Sequence, residues 1–163
     1  MTETVVIDSI DSVMKMIGDQ KYNNRIGRLR STYYYRGMPD ASFNLTTSLR
    51  INCKQLSHRL EPSILKAFSN YASIEDPSIS NSVWKQMMVG QHHGLPTRLM
   101  DWTYSPLIAL HFAESVNDLE KLSDCDCVVW RIDINDCNKN LPEKYRSVLA
   151  KNEKSVFSVV ALT

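Results

Sequence analysis

The sequence predicts an α+β fold, in which a small mixed or antiparallel sheet packs against several helices, one of them central and buried. Residues 31–37 are rich in tyrosine and residues 127–134 in valine, isoleucine and tryptophan, so both stretches favour strands. Between them, residues 106–116 are apolar on all sides except for a narrow polar stripe, which is typical of a buried helix. Helices and strands in these proportions predict an α+β domain.

The remaining elements follow from apolar spacing and from helix-capping residues. Ser105-Pro106 predicts the start of the central helix, because serine caps helix N-termini and proline suits the first helical position. Gly94 suits the left-handed residue that ends a helix, and Pro96 prevents its continuation. Apolar residues at helical spacing predict further helices over residues 9–17, 60–72 and 82–91, and residues 155–162 resemble a last strand.

Composition places the chain among ordinary globular proteins. Of its 163 residues, 43% are hydrophobic and 23% are charged, and the formal net charge is +1. This length predicts a single domain over residues 1–163, and the apolar C-terminal stretch leaves open that the domain is truncated. The longest apolar runs are too short to cross a membrane and the first residues do not resemble a signal peptide, so we expect a cytoplasmic protein with its four cysteines as thiols.

The near-neutral net charge conceals a basic region. Residues 21–59 contain eight lysines and arginines and a single acid, Asp40. Such a region would suit a phosphate-bearing ligand, either a nucleotide or a nucleic acid. A solvated surface would have the same composition, so both interpretations stay open.

The most unusual stretch is Gln-His-His-Gly-Leu-Pro-Thr-Arg-Leu-Met-Asp-Trp at residues 91–102. It places hydrogen-bonding side chains among apolar ones, and each desolvated polar group costs about 1–3 kcal/mol unless it is paired. Gln91 follows Trp84 and Met88 along one helix face, which predicts a buried amide that bonds to groups of residues 94–101. The stretch predicts either a ligand site or a structural polar network.

Two blocks together resemble the FRG domain family, which takes its name from an aromatic-Arg-Gly motif. The first block is Tyr35-Arg36-Gly37, and the second runs from residue 91 to Thr103 and continues into Ser-Pro-Leu-Ile-Ala-Leu-x-Phe-Ala at residues 105–113. The resemblance covers roughly residues 9–134. The family usually ends on a Gln-x-Gly-Val-Phe-like motif, from which this chain departs with Lys-Ser at positions 154 and 155. The family is bacterial and phage-associated, and the resemblance implies no particular reaction.

Arg36 and Gly37 are predicted to bind a ligand. An arginine offers a fixed fork of donors to a phosphate, and a neighbouring glycine lets the ligand approach the backbone. An aromatic-Arg-Gly strand also resembles one edge of the ADP-ribosyltransferase site, in which Thr47 and Ser48 could brace the dinucleotide and NAD would be the cofactor. Those enzymes generally carry a Glu-x-Glu that this chain lacks. The alternative is a structural ion pair of Arg36 with Asp101 or another carboxylate.

The second block supplies the other candidate site residues. His93 and Asp101 are the predicted catalytic residues, and Gln91 and Arg98 are predicted to bind the ligand. We expect no metal, because the His-x-x-x-His spacing of a helical zinc pair is absent. The predicted site lies between Arg36 and residues 91–101.

Two functional hypotheses follow from these residues. In the first, the chain binds a nucleotide-type ligand and acts as an ADP-ribosyltransferase-like enzyme in conflict between bacteria and phages. In the second it is a noncatalytic module that binds nucleic acid or protein, and its motif residues form a structural network. In that case Tyr33, Tyr34 and Tyr35 could stack bases while basic residues 25, 28 and 30 follow phosphates.

Overall fold

The computed structural model describes residues 2–18, 21–24, 27–115, 126–151 and 155–157. The chain forms two compact units, each assembled from two separate stretches. Unit 1 comprises Met1–Phe43 and Trp102–Pro142, and unit 2 comprises Asn44–Asp101 and Glu143–Thr163.

Along the described residues, one helix and three short strands are followed by four α-helices, one strand and two further α-helices. They are α1 (Ile10–Gly18), β1 (Lys21–Asn23), β2 (Arg28–Arg30), β3 (Tyr33–Met38), α2 (Ser48–Cys53), α3 (Ser57–Ala72), α4 (Val83–His92), α5 (Pro106–Glu114), β4 (Val128–Asp133), α6 (Ile134–Lys139) and α7 (Glu143–Lys151). Short 3₁₀ helices precede α3 (Lys54–Leu56) and α4 (Pro77–Asn81). This set of helices and short strands confirms the predicted α+β class.

Unit 1 is built around the antiparallel pair of β3 and β4, in which Tyr33 lies opposite Asp133 and Met38 opposite Val128. On the other edge of β3, the backbone N–H and C=O of Tyr35 each bond to Thr103 at 2.8 Å. Tyr35 is fully buried. Backbone bonding on both edges therefore fixes the middle of β3, where the aromatic-Arg-Gly motif lies.

Helix α5 packs against β3 along a face of small residues. Ala109 and Ala113 are fully buried, whereas Leu107, Ile108 and Phe112 are 49–59% exposed. The predicted packing of this helix against the sheet is confirmed, but the helix is buried along one face and not around all but a narrow polar stripe. The physical reason is that close approach of helix and strand needs small side chains, so the large ones lie on the outer face.

Unit 2 is mainly helical. Its buried apolar residues come from five elements and include Leu49, Leu65, Ile79, Met87 and Leu149. Ser82 caps α4 by accepting a hydrogen bond from the Lys85 N–H, and Gly94 has the left-handed φ of 83° that follows the helix end. These caps fix where the second motif block leaves the helix.

The helices and strands predicted from long apolar patterns at 9–17, 31–37, 60–72, 82–91, 106–116 and 127–134 are confirmed. Several shorter, more polar elements were not predicted. The antiparallel pair of β1 and β2 was not predicted, and neither were α2, α6 and α7. Residues 155–157 are not part of a strand, and the rest of the predicted strand at 155–162 lies outside the described residues. Among the described helices, none combines the length and hydropathy that a membrane span requires.

Candidate functional site

Arg36 lies in the middle of β3, directly opposite Trp130 of β4. Because side chains alternate across a pleated sheet, Tyr34, Arg36 and Trp130 belong to the same sheet face. Tyr34 stacks against Tyr104 with ring centroids 4.3 Å apart. Arg36, a half-buried residue, therefore shares one sheet face of unit 1 with Tyr34 and Trp130.

Gly37 faces the opposite side of the strand, towards α5. A Cβ atom at this position would lie 2.6 Å from the backbone N of Ala113 and closer still to the carbonyl oxygen of Ala109. Both atoms belong to helix backbone, so no side chain can move away to make room. Helix packing accounts for Gly37, whereas its predicted ligand contact stays untested.

The indole of Trp130 contributes a further polar group beside Arg36. Within the described residues, its Nε1–H is buried and has no hydrogen-bond acceptor. A buried donor without an acceptor costs about 1–3 kcal/mol, and such groups often indicate a water or ligand that would complete the site.

In unit 2, Thr97 connects the second motif block to α2. Its side chain is fully buried, and its hydroxyl donates to Gln91 Oε1 and accepts from the Leu99 N–H at 3.2 Å. The Thr97 N–H donates to Ser48 Oγ at 3.1 Å, and its carbonyl oxygen accepts from the Leu49 N–H at 3.1 Å. Thr97 thus holds the block through both its backbone and its side chain.

Gln91 makes the contacts that the sequence predicts. Its Nε2 donates to Asp101 Oδ1 at 2.7 Å, and its Oε1 accepts from Thr97. The prediction of bonds to residues 94–101 is therefore confirmed. Gln91 is half-buried, so it is less buried than the predicted buried amide. Gln91 lies in the last turn of α4, and both partners belong to the residues that follow the helix.

Arg98 pairs with Glu61 of α3. The Arg98 Nε donates to Glu61 Oε1 at 2.7 Å, and a terminal guanidinium nitrogen bonds to the second carboxylate oxygen. The Glu61 side chain is 4% exposed, whereas that of Arg98 is 57% exposed. A bidentate pair of this kind satisfies a buried carboxylate and fixes the orientation of the guanidinium.

Thr47 and Ser48 lie where α2 begins. Thr47 caps the helix by accepting from the Arg50 N–H at 3.4 Å, and Ser48 Oγ also donates to the Thr97 carbonyl oxygen at 3.3 Å. Both hydroxyls therefore have structural bonding partners, and their predicted role in bracing a dinucleotide stays untested.

The two predicted catalytic residues lie at the surface. His93 ends α4 with an exposed side chain, and its ring centroid is 6.4 Å from that of Phe68. Asp101 is exposed and accepts from Gln91. Arg36 belongs to unit 1, whereas Gln91, His93, Arg98 and Asp101 belong to unit 2, so the predicted site between Arg36 and residues 91–101 stays a prediction.

The FRG domain model matches residues 31–121, which is more than half of the chain. The chain belongs to the FRG domain family. Neither the curated proteins nor the solved structures gave a match. The matched region of this FRG domain contains Arg36 and the whole stretch from Gln91 to Asp101.

Sequence reasoning missed three residues that shape the FRG domain. Glu61 holds Arg98, Thr97 is the centre of the polar network, and Trp130 lies opposite Arg36. Glu61 could have been found, because it precedes Leu65 and Phe68 at helical spacing and so places a carboxylate on the apolar face of α3. For Trp130 the only signal was its place in an apolar strand, and that does not determine which residue of β3 lies opposite it.

Among the described residues, no group of three or more histidine, cysteine or acidic side chains is arranged to hold a metal ion. In unit 1, Tyr34, Arg36 and Trp130 share one sheet face. In unit 2, an ion pair joins Arg98 to Glu61, and an amide network joins Gln91 to Thr97 and Asp101.

Proposed function

We propose that this FRG domain binds a nucleotide-type ligand through the sheet face that carries Arg36. The observation behind the proposal is the placement of the guanidinium in mid-strand, opposite Trp130 and two residues from Tyr34. An arginine held by a strand offers two parallel donors to a phosphate, and neighbouring aromatic rings can stack on a base. The indole Nε1–H of Trp130 is a further donor that a ligand oxygen could satisfy.

The second motif block is proposed to stabilise the fold and not to contact the ligand. Gln91, Thr97, Ser48 and Arg98 all bond to groups of their own chain. These contacts favour the hypothesis that the block is a structural network. The bacterial and phage-associated character of the family suggests a role in phage defence for such ligand recognition.

The test compares Arg36→Ala with Arg36→Lys and with a control on the opposite sheet face. Arg131→Ala is the control, because Arg131 belongs to the partner strand and stacks on the Tyr33 ring at 4.5 Å. The melting temperature of each protein is measured with NAD, ADP-ribose, ATP and inorganic phosphate. A ligand present at a hundred times its Kd stabilises a protein by about 2.7 kcal/mol. For a chain of this size the melting temperature then rises by roughly 5–10 °C.

We expect a nucleotide to stabilise the wild type and Arg131→Ala, to leave Arg36→Ala unchanged, and to stabilise Arg36→Lys weakly. Arg36→Ala should fold. If it does not, the structural ion-pair interpretation of Arg36 is correct. If none of the nucleotides stabilises the wild type, the proposal is refuted. If the wild type releases nicotinamide from NAD and Arg36→Ala does not, the site cleaves NAD as an ADP-ribosyltransferase does and does not merely bind it.

A further inference from the structure

We propose that the outward face of α3 binds the phosphate backbone of a nucleic acid. One side of this helix is buried along Ser57, Glu61, Leu65 and Ser69, each four residues from the next. The opposite side carries Arg59, Ser63, Lys66 and Asn70, at spacings of four, three and four residues, and all four side chains are exposed. We call these four residues the donor row.

Every member of the donor row can donate a hydrogen bond to a phosphate oxygen. Arginine, lysine, serine and asparagine are among the side chains that contact nucleic-acid phosphates and sugars. A helix rises 1.5 Å per residue, so the row is about 16 Å long. One nucleic-acid strand advances about 3.4 Å per phosphate along its axis, so the row spans roughly five phosphates.

The chain around the donor row is rich in cations up to residue 74, after which Glu75 and Asp76 follow. Residues 44–74 contain Arg50, Lys54, Arg59 and Lys66 and a single acid, Glu61. That carboxylate is buried and bound to Arg98, so it does not oppose the exposed cations. Arg50 and Lys54 are also exposed, on α2 and in the following 3₁₀ helix. Exposed cations therefore also occur on the two elements that precede α3 and pack against it.

The composition of the row favours a nucleic acid over the other polyanions. A helix that lies on a membrane inserts its apolar face into the lipid, but the apolar face of α3 is buried within unit 2. The anchors of protein–protein interfaces are mainly tryptophan, tyrosine and arginine, and of these the donor row contains only Arg59. A regular row of donors suits the regular charge of a phosphodiester backbone.

The test uses the double variant Arg59→Gln/Lys66→Gln, which removes two charges and keeps hydrogen-bonding side chains. Its control is Lys144→Gln/Lys151→Gln on α7, which has the same seven-residue spacing and the same change in net charge, next to the acidic Glu143. Fluorescence anisotropy measures binding of the full chain to a labelled 20-nucleotide single strand, to its duplex and to the corresponding RNA over a series of salt concentrations.

We expect the Arg59→Gln/Lys66→Gln variant to bind about tenfold more weakly at low salt and the control to bind like the wild type. The slope of log K against log salt should fall by about 1.4 for the single strands and about 1.8 for the duplex, as expected for two lost phosphate contacts. Three results would overturn the proposal: no binding by the wild type, equal losses in both double variants, or binding to anionic lipid vesicles without binding to nucleic acid. Arg36→Ala should keep this binding, which makes the result independent of the proposed nucleotide site.

Discussion

At the scale of single residues, the polar side chains of the second motif block are bonded within the chain. Arg98 was predicted to bind a ligand phosphate, yet its guanidinium forms a bidentate pair with a carboxylate 37 positions earlier. Truncating Arg98 would leave the buried Glu61 carboxylate without this partner, which makes the pair costly to break even if it adds little net stability. A structural network can therefore require the same residues as a binding site.

Gln91 provides the sharpest test of that network. Gln91→Leu keeps the approximate volume of the side chain and leaves Thr97 Oγ1 and Asp101 without their bonds to the amide. We expect the free energy of unfolding to fall by about 1–3 kcal/mol, with a folded protein in which residues 94–101 are more mobile. Urea titrations measure the change.

A double-mutant cycle with Thr97→Val separates the network from general packing effects. The combined variant should cost less than the sum of the two single variants, by about 0.5–2 kcal/mol, because the second change removes a group that the first had already left unsatisfied. Thr32→Val, at an exposed threonine, is the control and should change stability by no more than about 0.5 kcal/mol. Strictly additive costs would contradict the network.

At the scale of elements, the sequence predicted what depends on local pattern. The helices α1, α3 and α4, the cap of α5 and the strands β3 and β4 all follow from apolar spacing and capping residues. The pair of β1 and β2 was not predicted, because each strand has three residues and polar ends and is too short for an apolar period to emerge. Short helices α2 and α6 were missed for the same reason.

The close packing of β3 and α5 leads to a prediction about Gly37. Gly37→Ala should lower the free energy of unfolding by about 3 kcal/mol or more, because the added methyl group meets helix backbone that cannot move independently. Gly18→Ala is the matched control. Nothing lies within 4 Å of a Cβ atom at that position, so the change should be neutral or slightly stabilising. Equal stability of the two variants in urea titrations would refute the packing argument.

At the scale of the whole molecule, the sequence predicted single site residues better than it predicted their partners. The bonds of Gln91 were predictable because all its partners lie within ten residues. The pairing of Arg36 with Trp130 depends on the register of strands that are some 90 positions apart, and that of Arg98 with Glu61 depends on the packing of α3. Neither is encoded in a local pattern.

The division into two units predicts how the molecule opens locally. Each unit has well-bonded amides that report on it: Tyr35 and Thr103 bond to each other in unit 1, whereas Leu49 and Leu95 bond to the carbonyl oxygens of Thr97 and Gly90 in unit 2. Cooperative units often open separately below the free energy of global unfolding, and native-state hydrogen exchange measures that opening.

Ala109→Gly should destabilise α5 by about 1 kcal/mol, because glycine is a poor helix former and Ala109 is fully buried. We expect faster exchange of the Tyr35 and Thr103 amides in this variant and unchanged exchange of Leu49 and Leu95. Gln91→Leu should have the converse effect, because its bonds lie within unit 2. If either variant instead accelerates all four amides to the same extent, the two units open together, and the chain unfolds as a single cooperative domain.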